Sequence, residues 1–128
     1  KPLSSFSELE WLELSGNNID TIGIRALVEA KLKNLRVLQL QANNIDDSTI
    51  DTILASGLIK QLIGLDIRHN SVTEKGLNAL AQHPDASDNL RVFIENNQIS
   101  DTLQASILRR FPKRFQRMGW PEHPRNYD

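Results

Sequence analysis

The 128-residue sequence contains no cysteine. The chain therefore has no disulfide, no thiolate zinc site and no cysteine nucleophile, and such a composition favours a reducing compartment. Long apolar runs are missing too, because no stretch approaches the roughly 18 residues that a membrane-spanning helix needs. A hydrophobic content of 39% and a mean hydropathy of −0.40 are typical of one soluble globular domain. We therefore predict a cytoplasmic location, or delivery into a host cell if the protein is a bacterial effector.

The sequence also lacks the motifs of common active sites and cofactor sites. His69, His83 and His123 do not stand at metal-ligand spacing, and neither a glycine-rich phosphate loop nor a G-x-S-x-G turn occurs. Asp66 and His69 are close in sequence, but no nucleophile stands beside them, so we interpret them as surface polar residues. The sequence thus predicts a non-enzymatic protein with no catalytic residue, no cofactor and no metal.

One pattern returns four times along the chain. The copies are LEWLELSGNNI from Leu9, LRVLQLQANNI from Leu35, LIGLDIRHNSV from Leu62 and the less regular LRVFIENNQI from Leu90. Successive side chains of a strand face opposite ways, so the alternating leucines predict a short strand with one apolar side in each copy. The asparagines at positions 17, 43, 70 and 97 are separated by 26, 27 and 27 residues. A near-constant interval of this length indicates stacked repeats.

The pattern L-x-x-L-x-L-x-x-N-x-[IV] resembles the repeat of the leucine-rich repeat family. The resemblance implies an α/β fold, a solenoid forming part of a horseshoe, with a parallel β-sheet on the concave face and α-helices on the convex face. About ten residues with helical spacing follow each asparagine, and SVTEKGLNALAQ at 71–82 is similar to the ribonuclease-inhibitor-like, helix-containing, intracellular type. Gly23 and Gly76, each six residues after an asparagine, support that similarity. The resemblance implies no catalytic activity.

Short polar residues after each asparagine are candidates for helix N-caps. They are Asp20 or Thr21, Asp47 or Ser48, and Thr73. The apolar face of the second helix is predicted to extend to Leu58. In the fourth copy we predict a one-residue shift that keeps Val92 and Ile94 inward and Phe93 outward.

The last part of the chain is predicted to cover the end of the stack. Pro112 must end the preceding helix, and we predict that it begins another, with Phe115 and Met118 inward and Trp120 over the open end. The start of the chain is expected to be either a short cap or the remainder of a longer solenoid. The predicted single domain is 1–128, with a partial repeat or cap at 1–8, about four repeats, and capping helices at 100–128.

Two surfaces carry the functional hypotheses. The asparagine amides can satisfy backbone groups of the turns and link one coil to the next. This predicted structural ladder consists of Asn17, Asn43, Asn70 and Asn97. Side chains on the hollow side of the sheet are predicted to bind a protein partner, because exposed aromatic residues flanked by charges are typical of interfaces. The predicted contact residues are Trp11, Glu13, Val37, Gln39, Gln41, Asp66, Arg68, His69, Arg91, Phe93 and Glu95.

Alternatives stay open at this point. Trp11 and Phe93 can instead shield the ends of the solenoid. The net charge is −1, yet residues 103–128 hold six basic and two acidic residues. That basic segment is expected to be a solvated face of the cap, or else a contact for nucleic acid or anionic membrane, which we regard as less favoured partners.

The leading interpretation is a monomeric scaffold that binds an unidentified protein. The alternative is a regulator of a small GTPase or of actin. Nothing in the sequence marks one of Arg25, Arg36 or Arg68 as a catalytic arginine for that activity.

Overall fold

A computed structural model of the chain describes residues 8–116. Its strands and helices alternate along the chain, apart from one additional short helix, α3. The strands are β1 (Trp11–Glu13), β2 (Val37–Gln39), β3 (Gly64–Asp66), β4 (Arg91–Phe93) and β5 (Phe115–Gln116). The helices are α1 (Thr21–Glu29), α2 (Asp47–Leu54), α3 (Leu58–Gln61), α4 (Glu74–Gln82) and α5 (Asp101–Arg110).

The five strands form one sheet in sequence order, and every neighbouring pair is parallel. Each connection returns through a helix, as parallel strands require. The predicted α/β solenoid with a parallel sheet and helices is therefore confirmed. The predicted intervals also hold, since Leu12, Leu38 and Leu65 stand directly beside one another across the first three strands.

The fourth strand keeps this register. Val92 pairs with Leu65 and Phe93 pairs with Asp66, which confirms the predicted one-residue shift. Val92 therefore faces the core with the leucines, whereas Phe93 faces the hollow side. The structural cause is the longer loop before β4. Its last residue, Leu90, stands one position later than the leading leucine of the other copies and is fully buried.

Aspartates begin the first two helices. The carboxylate of Asp20 accepts hydrogen bonds from the backbone N–H groups of Ile22 and Gly23, as one of the two predicted caps. In α2 the cap is Asp46, whose carboxylate accepts from Thr49 N at 3.0 Å. The predicted caps, Asp47 and Ser48, therefore lie one and two residues after the observed cap.

Asp47 instead serves the next coil. Its Oδ1 accepts a hydrogen bond from the backbone N–H of Thr73 at 2.9 Å, and its Oδ2 accepts from the Thr73 hydroxyl. Thr73 is the predicted N-cap residue of α4, but its side chain makes no capping bond within that helix. The carboxylate of Asp47 thus holds the Thr73 hydroxyl and backbone N–H across the junction between coils.

The second helix is also shorter than predicted. It ends at Leu54, and Leu58 begins the separate helix α3. The Ser56 hydroxyl donates to Ile53 O at 2.6 Å and accepts from Leu58 N at 3.2 Å, which stabilises the intervening turn. Leu58 is still buried, with 6% of its surface exposed, so the predicted apolar face continues through a bend.

The prediction of a helix starting at Pro112 is wrong for the described residues. Residues 112–114 form a turn, and β5 follows at Phe115. Phe115 pairs with Val92 and is 2% exposed, so it extends the apolar row of the sheet by one strand. The predicted inward position of Phe115 is therefore confirmed, although the residue lies on a strand, and burial of its ring stabilises that strand. The predictions for 1–7, Met118, Trp120 and His123 lie outside the described residues.

The core lies between the sheet and the helices, and it is densest in the middle coils. Leu38, Leu40, Leu65 and Ile67 are fully buried. In the first coil Leu12 and the other strand leucines are only half-buried. A fully buried leucine contributes about 1.5–3 kcal/mol relative to an exposed one. The middle coils therefore provide most of the hydrophobic stabilisation.

Candidate functional site

The hollow side of the sheet carries two rows of side chains that run across the strands. One row is Trp11, Val37, Gly64 and Arg91. The other row is Glu13, Gln39, Asp66, Phe93 and Gln116. Because alternate residues of a strand face opposite sides, both rows face away from the core column of Leu12 and Leu38. We call these rows, with the residues that continue them just beyond the strands, the concave face.

The middle of the concave face is held by one ion pair. Arg68 Nη2 lies 2.7 Å from Asp66 Oδ2, and Arg68 Nε donates to Asp66 Oδ1 at 3.0 Å. The guanidinium carbon of Arg68 stands 5.7 Å from the centre of the Phe93 ring. Arg68 is thus fixed by a bidentate contact and by an aromatic face, both of which suit its planar group.

The charge of Arg68 is stabilised at this position. The hydrogen bond with Asp66 raises the pKa of Arg68 above its ordinary value, although burial acts in the opposite direction. The charges of Asp66 and Glu95 also raise that pKa. Arg68 therefore presents a permanent positive charge near the middle of the concave face, with 27% of its side chain exposed.

Three predicted contact residues are buried rather than exposed. Val37 is 1% exposed, and Asp66 and Phe93 are 0% exposed. The prediction that Phe93 is an exposed aromatic anchor is therefore wrong, although its side chain does face the concave side. Strands only about 4.8 Å apart let large neighbouring side chains cover one another. Arg68 illustrates this, since it binds Asp66 and also lies over the Phe93 ring.

The first two strands are joined by a polar contact on the same face. The indole N–H of Trp11 donates to Gln39 Oε1 at 2.6 Å. Glu13 is exposed, and its Oε1 accepts from Ser15 N at 2.7 Å. Within residues 8–116, Gln41 Oε1 is buried without a hydrogen-bond partner. This end of the concave face therefore holds an exposed carboxylate and an unpaired amide oxygen.

The residue before each ladder asparagine adopts a left-handed backbone. These residues are Gly16, Ala42, His69 and Asn96, with φ between 58° and 69°. His69 is exposed here, and its Nδ1 lies 3.0 Å from Asn96 Nδ2 of the next coil. Sequence reasoning missed this column, although Gly and Asn at two of its four positions are the residues that tolerate such a backbone.

The asparagine amides connect neighbouring coils. Asn70 Oδ1 accepts from the backbone N–H groups of Asn43 and Ile45, at 3.1 and 2.9 Å. Its Nδ2 donates to Leu40 O in the same neighbouring coil at 2.9 Å. Asn43 makes the equivalent bonds to the first coil, accepting from Asn17 N at 2.8 Å. Each such amide thus closes a turn and bonds to the coil before it.

The arginines considered for GTPase regulation are differently placed. Arg68 is bound to Asp66, and Arg36 donates through Nη1 to the carbonyl oxygens of Lys33 and Leu35. Arg25 is exposed on α1. Arg36 and Arg68 therefore already make hydrogen bonds within the fold.

The described part of the chain offers neither a metal site nor a membrane-spanning helix. Between residues 8 and 116, no group of three or more His, Cys, Asp or Glu side chains could hold a metal ion. In the same range no helix has the length and apolarity needed to cross a bilayer.

Comparisons with known proteins agree with the repeat architecture. A family model described as Leucine Rich Repeat matches residues 8–29. Lumican from Gallus gallus is 32% identical over 94 residues, which are 73% of this chain and 24% of that protein. Lumican from Homo sapiens is 32% identical over 76 residues, 59% of this chain and 21% of that protein. The chain thus spans about a quarter or less of the length of the relatives it matches.

The relatives also correct the predicted location. Lumican is a secreted protein of the extracellular matrix, so the similarity contradicts the prediction of a cytoplasmic protein. The prediction relied on the missing cysteines, which exclude disulfides but do not fix the compartment. A solenoid stabilised by stacked apolar rows and asparagine amides needs no disulfide in either compartment.

Proposed function

Because the chain carries a leucine-rich repeat domain, we propose that it is a non-enzymatic scaffold that binds a partner protein through the concave face. The observation that carries this proposal is the continuous row of side chains across all five strands, from Glu13 to Gln116. Hydrogen bonds fix Trp11 and Arg68 in this face before any partner arrives. Side chains that are already ordered lose less entropy on binding, which favours affinity.

The proposed contacts are those concave-face residues that remain accessible. They are Trp11, Glu13, Gln39, Gln41, Arg68, His69, Arg91 and Glu95. For Val37, Asp66 and Phe93 we propose an indirect part, since their buried side chains support their neighbours. Asp66 and Phe93 would act by holding Arg68 in place.

The size of the face limits what it can bind alone. Five strands spaced about 4.8 Å apart, each of two or three residues that rise about 3.3 Å apiece, present roughly 200 Å². A stable interface buries about 800 Å² on each partner. The concave face of this chain is therefore proposed as one part of a larger contact, which agrees with a chain that spans about 24% of its relative.

The test compares two variants with the same change of charge. In the concave variant, Glu13→Arg is combined with Glu95→Arg. In the convex variant, Glu29→Arg is combined with Asp51→Arg, both of which are exposed on the helices. Proteins captured by the parent chain are identified by mass spectrometry, and each is then titrated against both variants.

The proposal expects at least one captured protein whose affinity falls about tenfold or more with the concave variant. The convex variant should bind the same protein as the parent does. If every captured protein binds the concave variant unchanged, the concave face is not the binding surface.

We further propose that the chain is of the helix-containing, ribonuclease-inhibitor-like type. The supporting observation is that α1, α2, α4 and α5 contain 9, 8, 9 and 10 residues. Circular dichroism of the purified chain provides the check, because extended outer segments would give far less helical signal.

A further inference from the structure

A basic cleft lies near the strand starts at the C-terminal end of the described solenoid. It has a volume of about 800 Å³ and lies between the loop before β4 and the turn after α5. Four cationic side chains line it, namely Arg91, Arg110, Lys113 and Arg114, against the single carboxylate of Asp88. Phe111 and Pro112 provide an apolar wall. The cleft is separate from the concave face, apart from Arg91, which lies at the edge of both.

Two of these cations are held in place by backbone oxygens. Arg114 Nη1 donates to Ser87 O at 2.8 Å and to Leu90 O at 3.3 Å. Arg91 Nη1 donates to Leu90 O and to Asp88 O, both at 3.2 Å. The two guanidinium groups therefore converge on one loop, although like charges repel each other there.

The positive charge of the cleft is not neutralised within the described residues. Within residues 8–116 the ion pair is the one between Asp66 and Arg68. None of the four cleft cations therefore takes part in an ion pair in that range. Arg114 Nε is buried and lacks a hydrogen-bond partner in that range. One donor of this fixed guanidinium is therefore left unsatisfied by the described residues themselves.

Electrostatics at Arg114 agree with an anion-accepting environment. Burial lowers the pKa of Arg114 below its ordinary value, and the neighbouring charge of Arg91 lowers it further, although the charge of Asp88 acts in the opposite direction. The charge of a dianion bound in the cleft would raise this pKa again. Arg110, in contrast, rests 5.0 Å from the centre of the Phe111 ring and is exposed, so its guanidinium can turn toward a ligand without unfolding the helix end.

We propose that this cleft binds a doubly charged tetrahedral oxyanion, a phosphate or sulfate group. Arg110 and Lys113 provide the exposed charges, and Arg91 and Arg114 provide the fixed guanidinium groups. Arginine forks and lysine ammonium groups are the side chains that recognise such anions. The proposal does not depend on a protein partner at the concave face.

The neighbouring residue Arg109 gives a matched control. It is exposed in the last turn of α5, as Arg110 is, but it lines a different surface with Leu108 and Phe115. Both arginines interact favourably with the negative end of the helix dipole. R109E and R110E therefore make the same change in net charge and in helix electrostatics, and they differ in their distance from the cleft.

The experiment titrates the full chain with inorganic phosphate, inorganic sulfate and phenyl phosphate by NMR, with chloride added to hold the ionic strength constant. Saturable shifts in residues 86–91 and 110–114 are expected. R110E and K113E should each weaken binding about tenfold, the loss expected for one charge-assisted hydrogen bond. R109E should change binding by less than about threefold, and D88N should strengthen it because a repulsive carboxylate is removed.

Each outcome decides the proposal. Tighter binding of phenyl phosphate than of inorganic phosphate would assign an esterified group packed on Phe111, whereas equal binding would assign the free anion. The proposal is overturned if no anion saturates above the chloride background. Equal losses in R109E and R110E would also overturn it, because they would mean diffuse attraction to a basic surface rather than a site.

Discussion

Two helices of this solenoid carry a glycine at the same position of the repeat, but the two glycines have different neighbours. Gly23 in α1 and Gly76 in α4 each lie six residues after a ladder asparagine. Among residues 8–116, a Cβ added at Gly23 would approach only Ile19 of the same coil, with its Cγ2 at 3.2 Å. A Cβ added at Gly76 would lie 2.7 Å from Val72 Cγ1 and closer still to Oδ1 of Asp47 in the preceding coil. Gly76 thus lets its helix approach the preceding coil, whereas the part of the chain that precedes the coil of Gly23 lies outside the described residues.

The polar groups between successive helices also differ from one junction to the next. Between α1 and α2, the hydroxyl oxygens of Thr21 and Thr49 lie 2.8 Å apart. Between α2 and α4, the carboxylate of Asp47 accepts both the backbone N–H and the hydroxyl of Thr73. A carboxylate at a helix N-terminus is stabilised by unpaired N–H groups and by the helix dipole. Equivalent positions of successive repeats therefore join the coils with different polar groups.

The largest expected effect comes from Gly76→Ala. The new methyl group must displace the Asp47 carboxylate and Val72, so we expect the free energy of unfolding to fall by up to about 3 kcal/mol. Urea denaturation measures it. Gly23→Ala is the matched control, and we expect it to change stability by less than about 1 kcal/mol because alanine's helix propensity offsets the contact with Ile19. Equal losses at the two positions would show that the close contact of Gly76 with Asp47 and Val72 is not the cause.

The asparagine row extends the comparison to the turns. Asn43→Ala should lower the free energy of unfolding by about 2 kcal/mol, since the backbone N–H groups of Asn17 and Ile19 lose their acceptor. Asn17→Ala should cost less than about 1 kcal/mol, because the Asn17 amide bonds only to Ser15 O of its own coil among residues 8–116. Thermal or urea unfolding of both variants checks the difference. A melting curve of Asn43→Ala equal to the parent's would contradict the structural role of the ladder.

Two opposite substitutions test the left-handed turn position. Ala42 has a φ of 58° and Gly16 a φ of 69°. A left-handed backbone costs a residue with a Cβ about 1–2 kcal/mol, so Gly16→Ala should destabilise by about 1 kcal/mol. Ala42→Gly should stabilise by about 0.5 kcal/mol after the entropy of glycine is included. The two variants are compared by urea denaturation, and changes of the same sign would show that backbone strain is not the cause.

The smallest expected effect concerns the Asp46 cap of α2. Hydrogen bonds, first from the backbone of Thr49 and then from the Ser48 side chain, hold the pKa of Asp46 below its ordinary value. A depressed pKa in the folded state stabilises the fold above the unfolded pKa of about 3.9. That stabilisation is lost as the pH falls through the lower, folded-state pKa. Asp46→Asn should therefore flatten the decrease in thermal stability below about pH 4 relative to the parent, and identical slopes would exclude this role.

The repeat pattern was sufficient to predict the sheet, because the period of the leucines and asparagines fixes which side chains stack. It predicted even the displaced register of Val92 and Phe93. It could not predict β5, since Pro112 is compatible with a new helix as well as with a turn, and only the packing of Phe115 against the last coil decides between them. Local spacing also assigned Asp47 to its own helix, whereas the carboxylate bonds to a residue 26 positions later.

The candidate site was less predictable than the fold. Alternation placed the predicted residues on the concave face, but it carries no information about how much of each side chain its neighbours cover. Asp66 and Phe93 therefore face the predicted side and are nevertheless buried. The basic cleft requires Arg91 and Arg114 from different coils, and their proximity follows from β5 pairing with β4. Any method that reads one repeat at a time would miss it.

The most direct test of the account is amide hydrogen exchange in the parent and in Asn70→Ala. The central claim is that side chains bridging neighbouring coils hold the turns, as Asn70 Oδ1 does for the N–H of Ile45 at 2.9 Å. The N–H of Thr49 donates to Asp46 within its own coil and serves as the internal reference. We expect exchange at Ile45 to accelerate about tenfold more than exchange at Thr49 in the variant. Equal acceleration at both amides, or none at Ile45, would contradict the claim.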